Sequence, residues 1–127
     1  LMLEASFNER SKMSLLEKKI TPVSGDTPSL TAQDIENFKT ELPEWDIITV
    51  DDVMHLKRNF KFKNFAEALA FTNALGEIAE QEGHHPLIEL TWGRVTVEWW
   101  THDLHGLHQN DFIMAAKTDQ IFKNRPS

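Results

Sequence analysis

Five of the six histidines fall between positions 84 and 108: His84, His85, His102, His105 and His108. Histidine is the side chain whose ordinary pKa lets it give and take a proton near neutrality. A cluster of them points first to acid–base chemistry. Gly83-His84-His85-Pro86 lies where a helix is predicted to end and a strand to begin, and the proline fixes the backbone just after the pair. Neighbouring side chains on a strand point to opposite faces, but at a turn both can reach one cleft. His102, followed by Asp103, closes the strand predicted to pair with the one that starts after Pro86. In such a hairpin the outer ends meet, so His84, His85 and His102 converge at one edge of the sheet. His105 and His108 read as surface residues, and His55 as a solvated residue on the wet face of a strand.

Other chemistries fit less well. His102, His105 and His108 are spaced three apart, and neutral imidazole is a common metal ligand. They surround Gly106 and lead into a helix, so they do not share one helical face, and no HExxH or facial-triad pattern appears. The absence of cysteine removes thiolate ligands, a cysteine nucleophile and a disulfide framework. There is no nucleophile elbow and no phosphate-binding glycine loop. Four tryptophans offer flat rings that can stack on a heterocycle. Trp92 and Trp99 read as core or interface packing. Trp45 begins a strand just after a helix stop and could border the cleft.

These residues must be positioned by seven elements. Thr31 caps a first helix with Asp34 at the box position; Ile35, Phe38 and Leu42 face inward, and Pro43 stops it. Trp45 to Val50 is rich in β-branched and aromatic residues, and Asp51-Asp52 offers a turn. Met54, Leu56, Phe60 and Phe62 then alternate with polar residues, a period of two that suits an antiparallel sheet. Arg58 interrupts the apolar set, as a strand end or bulge would. Asn64 caps a long helix that Gly83 ends; Phe65, Ala68, Leu69, Phe71, Leu75, Ile78 and Ala79 give it a broad apolar face. Leu87 to Trp92 and Arg94 to Thr101 flank Gly93 as a hairpin, and a last helix covers about 109–122. The order α-β-β-α-β-β-α predicts an α+β fold, a four-stranded antiparallel sheet with three helices on one face.

Composition sets the outer bounds. The chain has 127 residues, enough for one domain or one domain with a tail. Residues 1–29 carry four basic and four acidic side chains, so the whole net charge of −7 belongs to residues 30–127. Thr21-Pro-Val-Ser-Gly-Asp-Thr-Pro28 is turn and linker chemistry. Residues 1–29 therefore read as a mostly irregular arm on a domain of residues 30–127, dispensable for catalysis. Leu1 is not a natural start whereas Met2 or Met13 could be, so the first residues are expected to be an added extension. The acidic balance argues against direct nucleic-acid binding, which needs a basic footprint. No apolar run approaches a membrane span and no signal peptide is apparent, so a cytoplasmic location is expected.

Glu80-Gln-Glu-Gly-His84-His85-Pro86, Trp92-Gly-Arg-Val95, Thr101-His102-Asp103, Gly106-Leu107 and Asp111 together resemble the pattern of the pterin-4a-carbinolamine dehydratases. Trp45 and the run Phe60-Lys-Phe62-Lys-Asn-Phe65, with Ala68 and Phe71, extend the resemblance over about residues 30–123. It implies the α+β fold above and dehydration of 4a-hydroxytetrahydrobiopterin to quinonoid dihydropterin, after aromatic amino acid hydroxylases release it. His84, His85 and His102 match the three active-site histidines. Glu80 and Asp111 fall on acidic positions that could orient an imidazole. Pro86, Thr101, Asp103 and Leu104 fall in the segments that contact pterin, with Trp45 added as a cleft residue. The resemblance implies no metal or organic cofactor and a homodimer or homotetramer. It also implies a protein partner, a hydroxylase or, as in animals, a homeodomain transcription factor. Gly83, Leu87, Trp92 and His108 depart from the usual pattern, and histidine is a poorer helix cap than the usual Ser or Thr. The elimination needs an acid at the C4a hydroxyl and a base at N5–H; which histidine does which stays open. The other class of reading is a pterin-binding, oligomerisation or coactivator module with little catalysis.

Overall fold

A computed structural model describes residues 14–126. Its elements are α1 (Ser14–Glu17), α2 (Ala32–Lys39), β1 (Asp46–Val50), β2 (Val53–Lys61), α3 (Phe65–Glu82), β3 (Leu87–Thr91), β4 (Arg94–Trp99), a 3-10 turn (His102–Leu104) and α4 (Gln109–Lys123). The four strands form one antiparallel sheet in the order β1-β2-β4-β3. The expected α+β architecture is present, with α1 as an additional short helix. Met2 and Met13 lie outside the described residues.

Local chemistry sets most boundaries. Thr31 accepts from the Asp34 backbone N–H at 3.1 Å and the Asp34 carboxylate accepts from the Thr31 backbone at 3.2 Å, a full capping box. Asn64 caps α3 by accepting from the Glu67 backbone at 2.9 Å. Asp51 and Asp52 both adopt left-handed backbone (φ 50° and 66°), the geometry of a tight hairpin turn between β1 and β2. Gly93 completes the β3–β4 turn, where a Cβ would stand 2.9 Å from the Phe62 carbonyl oxygen.

The core lies between the sheet and the helices. Leu56, Phe60, Val95, Val97 and Trp99 share one sheet face, and Ala68, Phe71, Leu75 and Ala79 of α3 meet it. The α3 face is narrower than the sequence suggests: Phe65 and Leu69 are exposed. At 100° per residue they sit about 60° and 100° round from Ala68, off the buried stripe. Arg58 belongs to the inner face in regular register, opposite Val97, not at a strand end or bulge. Its guanidinium donates to Asp119 of α4 at 2.6 Å and lies over the Phe60 ring, 4.4 Å from the centroid. A charge can sit there because it is paired and stacked.

Segment 14–23 is tied to the domain. Leu15 is buried with the core and Ile20 packs against it. None of the helices among the described residues is long and apolar enough to cross a membrane.

Candidate active site

The C-terminus of α3 aims the first two histidines. Gly83 ends the helix in left-handed backbone (φ 67°), its N–H reaching the Ala79 and Glu80 carbonyls. The His84 N–H then bonds to the Ala79 carbonyl at 3.2 Å, closing the turn. The two imidazoles leave this turn toward different partners. His84 donates its Nε2–H to Asp111 Oδ1 at 2.6 Å, and its ring lies nearly parallel to Trp99, centroids 5.4 Å apart. His85 donates its Nε2–H to Glu80 Oε1 at 2.8 Å, one helical turn back on α3.

Asp111 is the hub of the site and is 0% exposed. Its Oδ2 accepts from the Thr101 hydroxyl at 2.7 Å and from the His108 backbone N–H at 2.9 Å. All three groups around it are donors, as an ionised carboxylate requires. It is also the third residue of α4, where a negative charge suits the helix dipole. One carboxylate therefore caps α4, holds the end of β4 through Thr101, and fixes the tautomer and tilt of His84.

His102 starts the 3-10 turn just past β4. The Thr101–Gly106 bridge closes this loop, with the Thr101 N–H on the Gly106 carbonyl at 2.8 Å and His105 in left-handed backbone (φ 52°). The His102 ring packs on Trp100 at 4.7 Å, Trp100 stacks on His55 at 3.9 Å, and His55 donates Nδ1–H to Glu98 Oε1 at 2.9 Å.

The three histidines line one cleft of about 680 Å³, with Thr101 and Asp103. The β3–β4 hairpin brings them together as anticipated from sequence. Glu80 and Asp111 stand behind His85 and His84. Pro86 and Leu104 are half-buried beside the turn and the 3-10 loop but do not line the cleft. A groove of about 740 Å³ between α3 and α4 carries no histidine.

Four expectations change. Trp45 is wholly buried and does not line the cleft; its indole N–H donates to Asp119 at 2.8 Å. Burial pushes the Asp119 carboxyl up, and the hydrogen bond from Trp45 and the charge of Arg58 pull it back. Trp92, read as core or interface packing, is exposed at the hairpin tip, so it does not belong to the core. His55 is buried, not solvated: Glu98 satisfies it and Trp100 covers it. His108 is buried too, and caps α4 by accepting the Asn110 N–H on Nδ1 at 3.0 Å. Burial holds the His108 imidazole below its usual pKa, a little offset by Asp111. Two groups of cleft residues had no local signature, Asn110 and the stretch Ile20 to Val23. Only the fold brings them to the histidines. Among the described residues no group of three or more His, Asp or Glu side chains could hold a metal ion.

Comparison with known proteins places this geometry. The sequence profile of the family described as Pterin 4 alpha carbinolamine dehydratase matches residues 28–121. A Syntrophotalea carbinolica protein that carries the family's name is 55% identical over 96 residues, 76% of this chain and 86% of its own. One from Microcystis aeruginosa is 47% identical over 111 residues, 87% of this chain and 96% of its own. Among solved structures, a transcriptional coactivator/pterin dehydratase from Brucella melitensis is similar with a TM-score of 0.67 at 32% identity, covering 74% of this chain and 98% of that one. A pterin dehydratase-like protein described as a RuBisCO assembly factor in the alpha-carboxysome shares the fold, with a TM-score of 0.54 at 24% identity, over 61% of this chain and 88% of that one.

Proposed function

The chain belongs to the pterin-4a-carbinolamine dehydratase family, and on that premise we propose that the cleft of His84, His85 and His102 dehydrates a 4a-hydroxytetrahydropterin to the quinonoid dihydropterin. The reaction removes the N5 proton and the C4a hydroxyl; a C4a=N5 double bond forms and water leaves. It needs one group to take the N5 proton and another to protonate the departing oxygen.

The observation that carries the reading is the His84–Asp111 pair. With Nε2–H committed to a buried carboxylate, neutral His84 has Nδ1 as its only acceptor. The same carboxylate stabilises the imidazolium that forms when Nδ1 takes a proton, so His84 suits the base. His85 and His102 line the cleft from its more exposed parts and suit the acid, returning the proton through solvent. Each proton transfer is worth typically ~10²–10⁴-fold. The product serves tetrahydropterin recycling after hydroxylation of aromatic amino acids. The test is stopped-flow absorbance of enzymatically generated 4a-carbinolamine with and without the protein. Acceleration in proportion to protein concentration supports the proposal; an unchanged decay overturns it.

A role in assembly is a second reading, favoured by two observations. β1 and β3 each pair on one side only, leaving two strand edges, and the α3–α4 groove is lined by apolar side chains such as Phe71, Ile78 and Ile121, with Phe65 and Leu69 exposed elsewhere on α3. A closed two-fold oligomer would cover such surfaces. Light scattering at micromolar concentration tests it: a dimer or tetramer is expected, and a monomer counts against it.

A further inference from the structure

Thr21 and Asn110 are joined by two hydrogen bonds across 89 positions of sequence. Asn110 Oδ1 accepts the Thr21 N–H at 3.0 Å, and Asn110 Nδ2 donates to the Thr21 carbonyl at 2.7 Å. A single buried amide thus grips one residue's backbone as a neighbouring strand would. Asn110 stands beside Asp111, and its own N–H is held by His108, so the grip is built into the start of α4. Upstream, Leu15 is buried in the core and Ile20 packs on it. Three contacts therefore fix a stretch that precedes the family-matched residues 28–121. Ile20, Thr21, Pro22 and Val23 line the same cleft as His84, His85 and His102.

We propose that residues 20–23 form the apolar wall of the pterin site, with Asn110 as the residue that positions it. The proposal rests on the dehydratase reading above. The Thr21 N–H is committed to Asn110, and its carbonyl already accepts from Asn110 Nδ2, so the Thr21 backbone is engaged by the protein itself. Ile20, Pro22 and Val23 are left to contribute packing, which suits the flat face of a heteroaromatic ring. Such contact is made equally in the ground and transition states, so it belongs to KM and leaves kcat alone. It replaces the expectation that the whole arm is dispensable for catalysis.

The full chain is compared with two variants, Asn110→Leu, which removes both bonds, and the double variant Pro22→Gly/Val23→Gly, which leaves Asn110 and the α4 terminus intact. KM for the carbinolamine should rise roughly tenfold in each, with kcat within about twofold of the parent. A structural role alone would lower thermal stability without this split. The second readout is tryptic cleavage after Lys18 and Lys19, beside the wall. Saturating 7,8-dihydrobiopterin should slow it in the parent and not in Asn110→Leu. Turnover with unchanged KM in both variants overturns the wall and leaves the dehydratase reading standing. Pterin protection of Lys19 without turnover overturns dehydration and keeps the wall. Should Asn110→Leu fail to fold, the double variant decides.

Discussion

His84 donates to a carboxylate that is 0% exposed, whereas His85, one residue on, donates to Glu80, whose side chain is 81% exposed. The bonds are alike in length, 2.6 and 2.8 Å, and the imidazoles differ in exposure, 14% against 62%. Length therefore says little about strength here. A surface pair works in high dielectric and is worth ~0–1 kcal/mol, while breaking a buried one costs about 3–5 kcal/mol. The cleft combines one imidazole locked in orientation and tautomer with two that can adjust. A base that must meet a fixed N–H profits from the first kind, and an acid that must renew its proton from solvent profits from the second.

Asp111→Ala breaks the buried half outright and has the largest expected effect. It strands the Thr101 hydroxyl, the His108 N–H and the His84 Nε2–H together. With each stranded buried donor costing about 1–3 kcal/mol, a fall in Tm on the order of 10 °C or more is expected, measured by calorimetry. Dehydration should fall at least a hundredfold even at temperatures where the variant stays folded. His102→Ala removes an acid–base group from the adjustable half. The rate should drop by roughly one to three orders with the fold kept, read by stopped flow and circular dichroism. Unchanged turnover would remove His102 from the mechanism.

Protons probe the same contrast more gently. Burial lowers the His108 pKa in the fold, with the Asp111 charge opposing and His84 assisting. The unfolded chain therefore binds a proton more readily than the folded one. The stability this represents is complete above about pH 6.5, the ordinary histidine value, and is lost as pH falls below it toward the lower folded pKa. Chemical denaturation across pH 5 to 8 should show that slope, and His108→Ser should flatten it. Glu80→Gln closes the series. It should change stability by less than about 0.5 kcal/mol and turnover by a few-fold at most, because its bond to His85 is made in water. A large loss there would show that the exposed pair is held as firmly as the buried one.

Much of this was legible in the residues. The two hairpins follow from period-two alternation and short turns, and the caps at Thr31 and Asn64 from side chains acting within three positions. The convergence of His84, His85 and His102 needed only the β3–β4 hairpin, a local pairing. What escaped depends on partners far along the chain. Trp45 turns inward because Asp119 waits 74 positions away. Arg58 belongs to the inner face because that same carboxylate and two aromatic rings receive it. His55 lies on the outer face as its alternation says, yet Glu98 of the paired strand β4 and Trp100 just past its end cover it. Asn110 looks like any polar residue opening a helix until Thr21 arrives. Pattern tells which face a residue takes; only the assembled fold tells what meets it there.

Asp111 caps α4, anchors Thr101 and, in the proposed mechanism, orients His84 with the same two oxygens. A lineage that gave up dehydration could shed His85 or His102 at little cost to its architecture, because both stand at the surface of the cleft. It could not shed Asp111 so readily, since the cap of α4 and the anchor of β4 would go with it. Retention of this aspartate in a relative is thus a record of ancestry, not of activity. The solvent-facing histidines are where a change of trade would first be written.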